Sequence, residues 1–426
     1  ARASIQNDGY ALVAEGKRLF ITGSVDRGTV FGIYSFLEDY CGVRFYASDY
    51  TVVHKEAVKD VPGKINEVYN PTFLSRDVYW ADVIRNPQFA LSCKDNSGTL
   101  PTLNGGGIAY AGGYLAHTLG GLSGIGDEIG RQPCLTDETV YKTVLTNVRA
   151  LLDANPDATI ISVSQNDSYD GQLGCQCSSC KAIDDAEGSP MGSMLTFVNR
   201  IANDIKDDYP NVYVHTLAYR YTRQAPKTVV PADNVIVGLC TIECCFAHSL
   251  SDESCKRNAA FVKDIEQWAA ICNNLFIWDY TTDYLQYLAP FPNLHVLREN
   301  VQFFAQHHVI GLFEQGNHQS VSGEFGELKA YMLSKLLWNP DMTQEEYDKL
   351  MDEFLRDYYG AGWKSIREYI DMTSEIVRGR TMCIFDSVDG YMPLVNDEGR
   401  QSADRFYKML ELWDNAYAAA ENDLQK

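Results

Sequence analysis

Short apolar runs alternate with longer amphipathic segments through the middle of the chain, and several of the runs stop at an acidic residue. Residues 160–164 lead into Gln165-Asn166-Asp167, residues 235–239 into Cys240-Thr241-Ile242-Glu243, residues 275–278 into Asp279, and residues 309–313 into Glu314. A fifth run, 212–217, leads into Tyr219-Arg220-Tyr221 through Ala218. Strand followed by helix, repeated, implies parallel strands whose C-terminal ends share one face. The pattern predicts an α/β fold of the (β/α)8 type, a closed barrel with its active site on that face.

The segments between the runs have helical period. Residues 139–152, 194–205, 261–271 and 297–306 read as helices, and in the second Leu195, Val198, Ile201, Ala202 and Ile205 share a face. Residues 73–76, just before Asp77, suit a first barrel strand. The stretch 81–134 has no clear period and is broken by Gly105-Gly106-Gly107 and Gly112-Gly113. Before the barrel, residues 1–65 read as a small α/β unit. Strands at 10–14 and 19–22 turn at Glu15-Gly16-Lys17, a helix at 28–40 stops at Gly42, and a strand follows at 43–46. Pro62-Gly63 marks its end. Beyond Glu324 the period is helical at 325–337, 344–358, 363–378 and 403–422. The expected division is a small α/β domain at 1–65, a (β/α)8 barrel at 66–323 and a helical region at 324–426.

The chain has 426 residues, which leaves room around a barrel of about 250. Lysine and arginine number 36 against 57 aspartate and glutamate, so the net charge is 36 − 57 = −21. A surface of that sign repels phosphate backbones, and there is no basic stripe or P-loop, so nucleic acid is not an expected partner. Neutral sugars remain compatible. No apolar run approaches the roughly 20 residues of a transmembrane helix, and the opening Ala1-Arg2-Ala3-Ser4-Ile5-Gln6 has no signal-peptide pattern. The 26 tyrosines suit sugar faces as well as core filling.

Many of the twelve cysteines cluster, as Cys175, Cys177 and Cys180 and then as Cys240, Cys244, Cys245 and Cys255. Three readings stand: disulfides in an exported protein, buried thiols, or a zinc site made by Cys175, Cys177 and Cys180 with Cys244 or His248 as fourth ligand. No cofactor is called for.

Glycosidic cleavage needs an acid at the leaving oxygen and a group that stabilises the oxocarbenium-like centre. Asp167, Glu243 and Glu314 are the catalytic candidates, with Asn166, Asp279 and His117 as polar contacts. Tyr219, Tyr221, Trp278, Tyr280 and Tyr284 are candidate platforms, each as readily packing. Each acidic residue alone is as readily a helix cap or a solvated charge. The expectation that distinguishes the two readings is convergence of Asp167, Glu243, Asp279 and Glu314 around one cavity. Arg76 and Asp77 read as a salt bridge, or second to that as a clamp on a sugar.

The segments GRQPCLTDETV, ISVSQNDSYDGQLGCQCSSCKAIDDAEGS, HTLAYRYTRQAPK, NVIVGLCTIECCFAH, LFIWDYTTDYLQYLAPFPNL and GLFEQGN resemble the DUF4838 proteins across about residues 70–370. These include glycoside hydrolase family 163, bacterial endo-β-N-acetylglucosaminidases acting on N-glycans. LFITGSVDRGTVFGIYSFLEDYCGVRFY resembles the small α/β domain that precedes barrels in hexosaminidases and α-glucuronidases. The resemblance implies a (β/α)8 barrel, export to the periplasm or the cell surface as a lipoprotein, and retaining cleavage between the two core GlcNAc residues of an oligosaccharide or glycoprotein glycan. The chain departs from the family after His117, where a longer loop is usual. Two other readings are an α-glucuronidase, with Arg220 or Arg223 holding the sugar carboxylate, and a non-catalytic glycan-binding protein of a polysaccharide-uptake system.

Overall fold

The computed structural model describes residues 4–98, 100, 105–321, 323–393 and 401–426; the first three residues of the opening hexapeptide lie outside them. Strands β1 (Tyr10–Glu15) and β2 (Arg18–Gly23) form the expected hairpin, with Gly16 taking the left-handed turn at φ +62°. The helix Asp26–Cys41 follows and ends at Gly42, whose left-handed backbone donates its N–H to Leu37. Strands β3 (Val43–Ala47) and β4 (Tyr50–Val53) make a second hairpin. Strand β5 (Lys64–Tyr69) pairs antiparallel with β1 from Tyr10↔Tyr69 to Glu15↔Lys64, so the first sheet continues past Pro62-Gly63.

The central sheet has six strands: β6 (Ser75–Tyr79), β7 (Ile160–Ser162), β8 (Tyr213–Ala218), β9 (Val235–Cys240), β10 (Leu275–Tyr280) and β11 (Gly311–Gln315). Their order is β6-β11-β10-β9-β8-β7, and every ladder is parallel. Apolar residues on both faces, Val235, Val237 and Leu239 on one and Ile236 on the other, suit burial on both sides. The expected eight-stranded barrel is six ladder strands and an irregular arc. In the arc, Asn96 N–H donates to Arg76 O (3.0 Å), Ile108 N–H to Asn96 O (2.8 Å), and Ile160 N–H to Ala109 O (3.1 Å). One isolated bridge, Tyr110↔Ile160, is the only pairing there among the described residues. Gly105, Gly106, Gly112 and Gly113 all have positive φ, which no ladder tolerates in sequence.

The sheet curls. Asp77, Tyr110, His215, Phe276, Trp278 and Phe313 line one cavity of about 40 Å³, although three strands separate β6 from β8. Two glycines make the concave face possible. A Cβ on Gly238 would stand 2.4 Å from His215 Nε2, and one on Gly311 2.6 Å from the Phe276 ring.

Helices pack outside the sheet. Met191–Ile205 buries Leu195, Val198, Ile201, Ala202 and Ile205 completely, the face expected from the periodicity. Glu138–Ala154, Lys256–Ile271 and Leu294–Gln306 occupy the other expected segments. Gly326–Trp338, Gln344–Tyr359, Trp363–Arg378 and Gln401–Ala419 are the C-terminal helices. Trp338 stacks on Tyr69 at 4.5 Å and Tyr10 at 6.2 Å, and the Arg76 guanidinium lies 5.2 Å over its ring. Arg76 pairs with Asp8 at 2.6 Å, not with Asp77. Neighbouring residues of a strand point to opposite faces, which is why the expected Arg76–Asp77 bridge does not form.

Candidate active site

Strand alternation sorts the acidic residues onto two faces. Asp77, Phe313 and Trp278 are register partners across β6, β11 and β10 and face the cavity. The Trp278 and Phe313 rings are 4.5 Å apart, and Trp278 Nε1 donates to Gln315 Oε1 at 2.7 Å. Val78, Glu314 and Asp279 are the next register partners and therefore lie on the opposite, helix-covered face. Asp279 and Glu314 are 3% and 1% exposed. Burial pushes Asp279 up to about 6, against a 2.5 Å hydrogen bond from Thr241 Oγ1. Burial, then the charge of Asp279, pushes Glu314 well above the usual carboxylate range. Neither Glu314 oxygen has a hydrogen-bond partner among the described residues. None of the four acids expected around one cavity lines it: Asp279 and Glu314 lie behind the sheet, and Asp167 and Glu243 stand near Tyr219 beyond the strand ends.

Asp167, Tyr219 and Glu243 follow the C-terminal ends of β7, β8 and β9, and that end of the sheet is its mouth. Tyr219 closes β8 and donates its phenol to Asp167 Oδ1 at 2.9 Å. Arg220 Nε donates to the same phenol oxygen at 2.8 Å, from a residue held at φ +50° and also paired with Asp170. A non-glycine residue in that region is strained and persists only where its surroundings fix it. Burial, then the charge of Asp167, with smaller contributions from Cys240 and Glu243, raises the Tyr219 phenol. Glu243 is one-third exposed, and its Oε2 accepts from Arg223 Nη1 at 2.8 Å. Arg223 also donates to Asp264 at 2.7 Å. Tyr280 is buried, which raises its phenol, with Cys240, Tyr219, Tyr284 and Glu243 adding to the effect. One neighbourhood therefore holds Asp167, Tyr219, Glu243 and Tyr280.

Aromatic side chains form a closed circuit beside these groups. Tyr280 meets Tyr284 (5.8 Å), Tyr284 meets Tyr287 (5.4 Å), and Tyr287 meets His318 (6.1 Å). His318 meets Tyr79 (5.3 Å), Tyr79 meets Phe313 (4.8 Å), Phe313 meets Trp278 (4.5 Å), and Trp278 returns to Tyr280 (6.5 Å). All but Tyr280 are half-buried. Below the circuit lies Asp77, half-buried and reachable from the cavity. Burial and the neighbouring Asp95 push its carboxyl well above the usual range, and its Oδ1 has no partner among the described residues. The sequence reading paired Asp77 with Arg76, as a salt bridge ahead of a sugar clamp, and so left it out of the catalytic candidates. Its place at the end of a β-run, like Asp279 and Glu314, was the available signal.

Three expected contacts take other positions. The Asn166 amide is spent on backbone: it accepts from Gly120 N–H (2.7 Å) and donates to Gly126 O (2.9 Å) and Arg131 O (2.7 Å). Tyr221 packs over Gly174 in the vicinity of Cys175 and Asp184, away from the mouth. His117 rests its ring against Tyr219 (5.7 Å), with Nδ1 at 2.9 Å from Gln165 O. It lines a separate groove of about 520 Å³ along the helix Glu138–Ala154.

The cysteine cluster has a different fourth member. Cys175, Cys177 and Cys180 gather with Cys134, their sulfurs all within 4.8 Å of one another. Cys244 is buried elsewhere, its thiol raised by burial and then by Asp279. His248 groups with Cys245 and Cys255. No disulfide joins any of the described cysteines.

Solved structures share this architecture. A family 89 glycoside hydrolase from Clostridium perfringens in complex with 2-acetamido-1,2-dideoxynojirmycin superposes with a TM-score of 0.56 at 10% identity, over 99% of this chain and 56% of that chain. The same organism's family 89 enzyme with GlcNAc-α-1,4-galactose gives 0.51 at 10% identity, over 97% and 56%. A GH138 enzyme targeting pectin rhamnogalacturonan II gives 0.46 at 10% identity, over 98% and 75%. For the two Clostridium structures the likeness, at 10% identity, is one of fold. The chain spans a little over half the length of the Clostridium enzymes. No curated protein sequence matches it. The model of DUF4838, a domain of unknown function, matches residues 121–371, more than half of the chain, and the chain belongs to that family.

Proposed function

We propose that the protein is a glycoside hydrolase that cleaves β-linked N-acetylglucosamine in N-glycans, as a retaining endo-β-N-acetylglucosaminidase. The observation that carries the reading is the aromatic circuit from Tyr79 to Tyr280, set beside Asp167, Tyr219 and Glu243 at the strand ends. Aromatic faces pack the apolar faces of sugar rings, and carboxylates beside them supply proton transfer and charge. The family resemblance supports the choice of N-acetylglucosamine. Export to the cell surface or periplasm belongs to the same proposal and follows from the resemblance; no helix among the described residues is long and apolar enough to cross a membrane.

In the substrate-assisted route the sugar's acetamido group is the nucleophile, and the enzyme supplies an acid/base and a polar partner for the acetamide. Asp167 with Tyr219 takes the partner role, since the Asn166 amide is already bonded to backbone. Glu243 takes the acid/base role, and its ion pair with Arg223 at 2.8 Å must open for the carboxyl to carry the proton it passes to the leaving oxygen. Asp77, kept neutral by burial, donates to a sugar hydroxyl from the cavity floor. The route through Glu243 and Glu314 as paired carboxylates is not favoured, because Glu314 lies behind the sheet. An α-glucuronidase needs a free cation for the sugar carboxylate, and Arg220 and Arg223 already have acidic partners.

Incubation with a biantennary N-glycoprotein, followed by mass spectrometry, tests the proposal. A single GlcNAc left on asparagine is the expected product. Intact glycan that binds the protein in calorimetry would make it a non-catalytic glycan-binding protein instead.

A further inference from the structure

We propose that Cys134, Cys175, Cys177 and Cys180 form a structural zinc site that clamps the loop carrying Asp167. Four sulfurs from two separate chain segments lie within 4.8 Å of one another. Cys134 Sγ is 3.7 Å from Cys177 Sγ and 3.9 Å from Cys180 Sγ. Tetrahedral zinc with Zn–S bonds of about 2.3 Å places its sulfurs about 3.8 Å apart. A disulfide needs about 2.05 Å. The separations are those of thiolates around a common centre.

The surroundings fit the same role. Cys177 caps the helix Ser178–Glu187, its sulfur accepting from Cys180 N–H at 3.4 Å. Thr136 Oγ1 lies 3.4 Å from Cys134 Sγ and from Cys180 Sγ, an outer hydroxyl for the thiolates. Four protein ligands leave no open position, so the metal is structural and does not reach substrate. Binding is redox-neutral: four thiols release four protons and bond one Zn²⁺.

The clamp reaches the mouth. The loop before Cys134 holds the Asp167 segment through Gly130 N–H to Asp167 O (2.7 Å), Gln132 Nε2 to Asn166 O (2.8 Å), and Asn166 N–H to Gln132 Oε1 (3.1 Å). Zinc at Cys134 fixes one end of that loop and the helix after Asp167 together.

The test is elemental analysis of this 426-residue chain, purified without chelators or metal-affinity resin. One zinc per chain is expected, lost in Cys134→Ser and Cys177→Ser and retained in Cys41→Ser. Cobalt exchange should give a thiolate-to-cobalt charge-transfer band with the intensity of a tetrahedral site. Because the variants can misfold, native alkylation of the unmutated protein gives a second readout. The four thiols should react only after chelation. Free reaction of all four in the folded protein as purified, before any chelation, or peptide mapping that finds a disulfide among them, overturns the proposal.

Discussion

Asp279 and Glu314 stand abreast on neighbouring parallel strands, both sealed behind the sheet. Two buried carboxyls at that spacing hold protons that the unfolded chain has released by about pH 5. The folded protein then binds more protons than the unfolded one, so stability falls as pH rises. The window opens near the ordinary carboxyl value of about 4, passes the Asp279 value of about 6, and extends higher for Glu314. The melting temperature should drop between about pH 5 and 8, and Asp279→Asn or Glu314→Gln should flatten that slope. Parallel slopes for the unmutated protein and both variants would show that the pair does not carry it.

Asp8 has the opposite sign. It accepts from Arg76 Nη2 (2.6 Å), Asn96 Nδ2 (2.8 Å) and Arg27 Nη2 (2.7 Å). Burial opposes its charge, but Arg76 and Arg27 hold its carboxyl below the usual range. That stability is present above about pH 4 and is lost as pH falls through the folded value. Asp8→Asn leaves a buried guanidinium without its counter-charge, and urea denaturation should show a loss of about 3–5 kcal/mol.

The bond from Tyr219 to Asp167 is a hydrogen bond to a charged group, worth about 1.5–3 kcal/mol. Tyr219→Phe should lower kcat/KM on a glycopeptide by about ten- to hundredfold if that energy is used in the transition state. A change confined to KM would mean that Tyr219 binds the ground state and the transition state equally.

Glu243→Gln should reduce turnover by about 100-fold or more, the usual contribution of a positioned acid/base. Full turnover in that variant removes Glu243 from the mechanism.

Asp77 separates two kinds of carboxyl. A neutral acid at the cavity floor is matched by an amide, so Asp77→Asn should keep KM within about threefold, and Asp77→Ala should raise it by about tenfold. Equal losses in both variants would mean that Asp77 works as a carboxylate.

The amino-acid sequence by itself determined the local elements. Leu195, Val198, Ile201, Ala202 and Ile205 specify the buried face of their helix through a 3.6-residue period, and Gly42 ends the first helix because glycine takes the left-handed cap without steric cost. Motifs spread over residues 70–370 carried the family likeness. Tertiary structure decided which groups meet. Arg76 chooses Asp8 across 68 residues, Cys177 meets Cys134 across 43, and the aromatic circuit joins Tyr79 to His318. It also decided the faces: Asp77 looks into the cavity, and Asp279 and Glu314 look away from it. A strand's side chains alternate with a period of two, so a one-residue difference in register reverses the face, and only pairing with neighbouring strands sets that register.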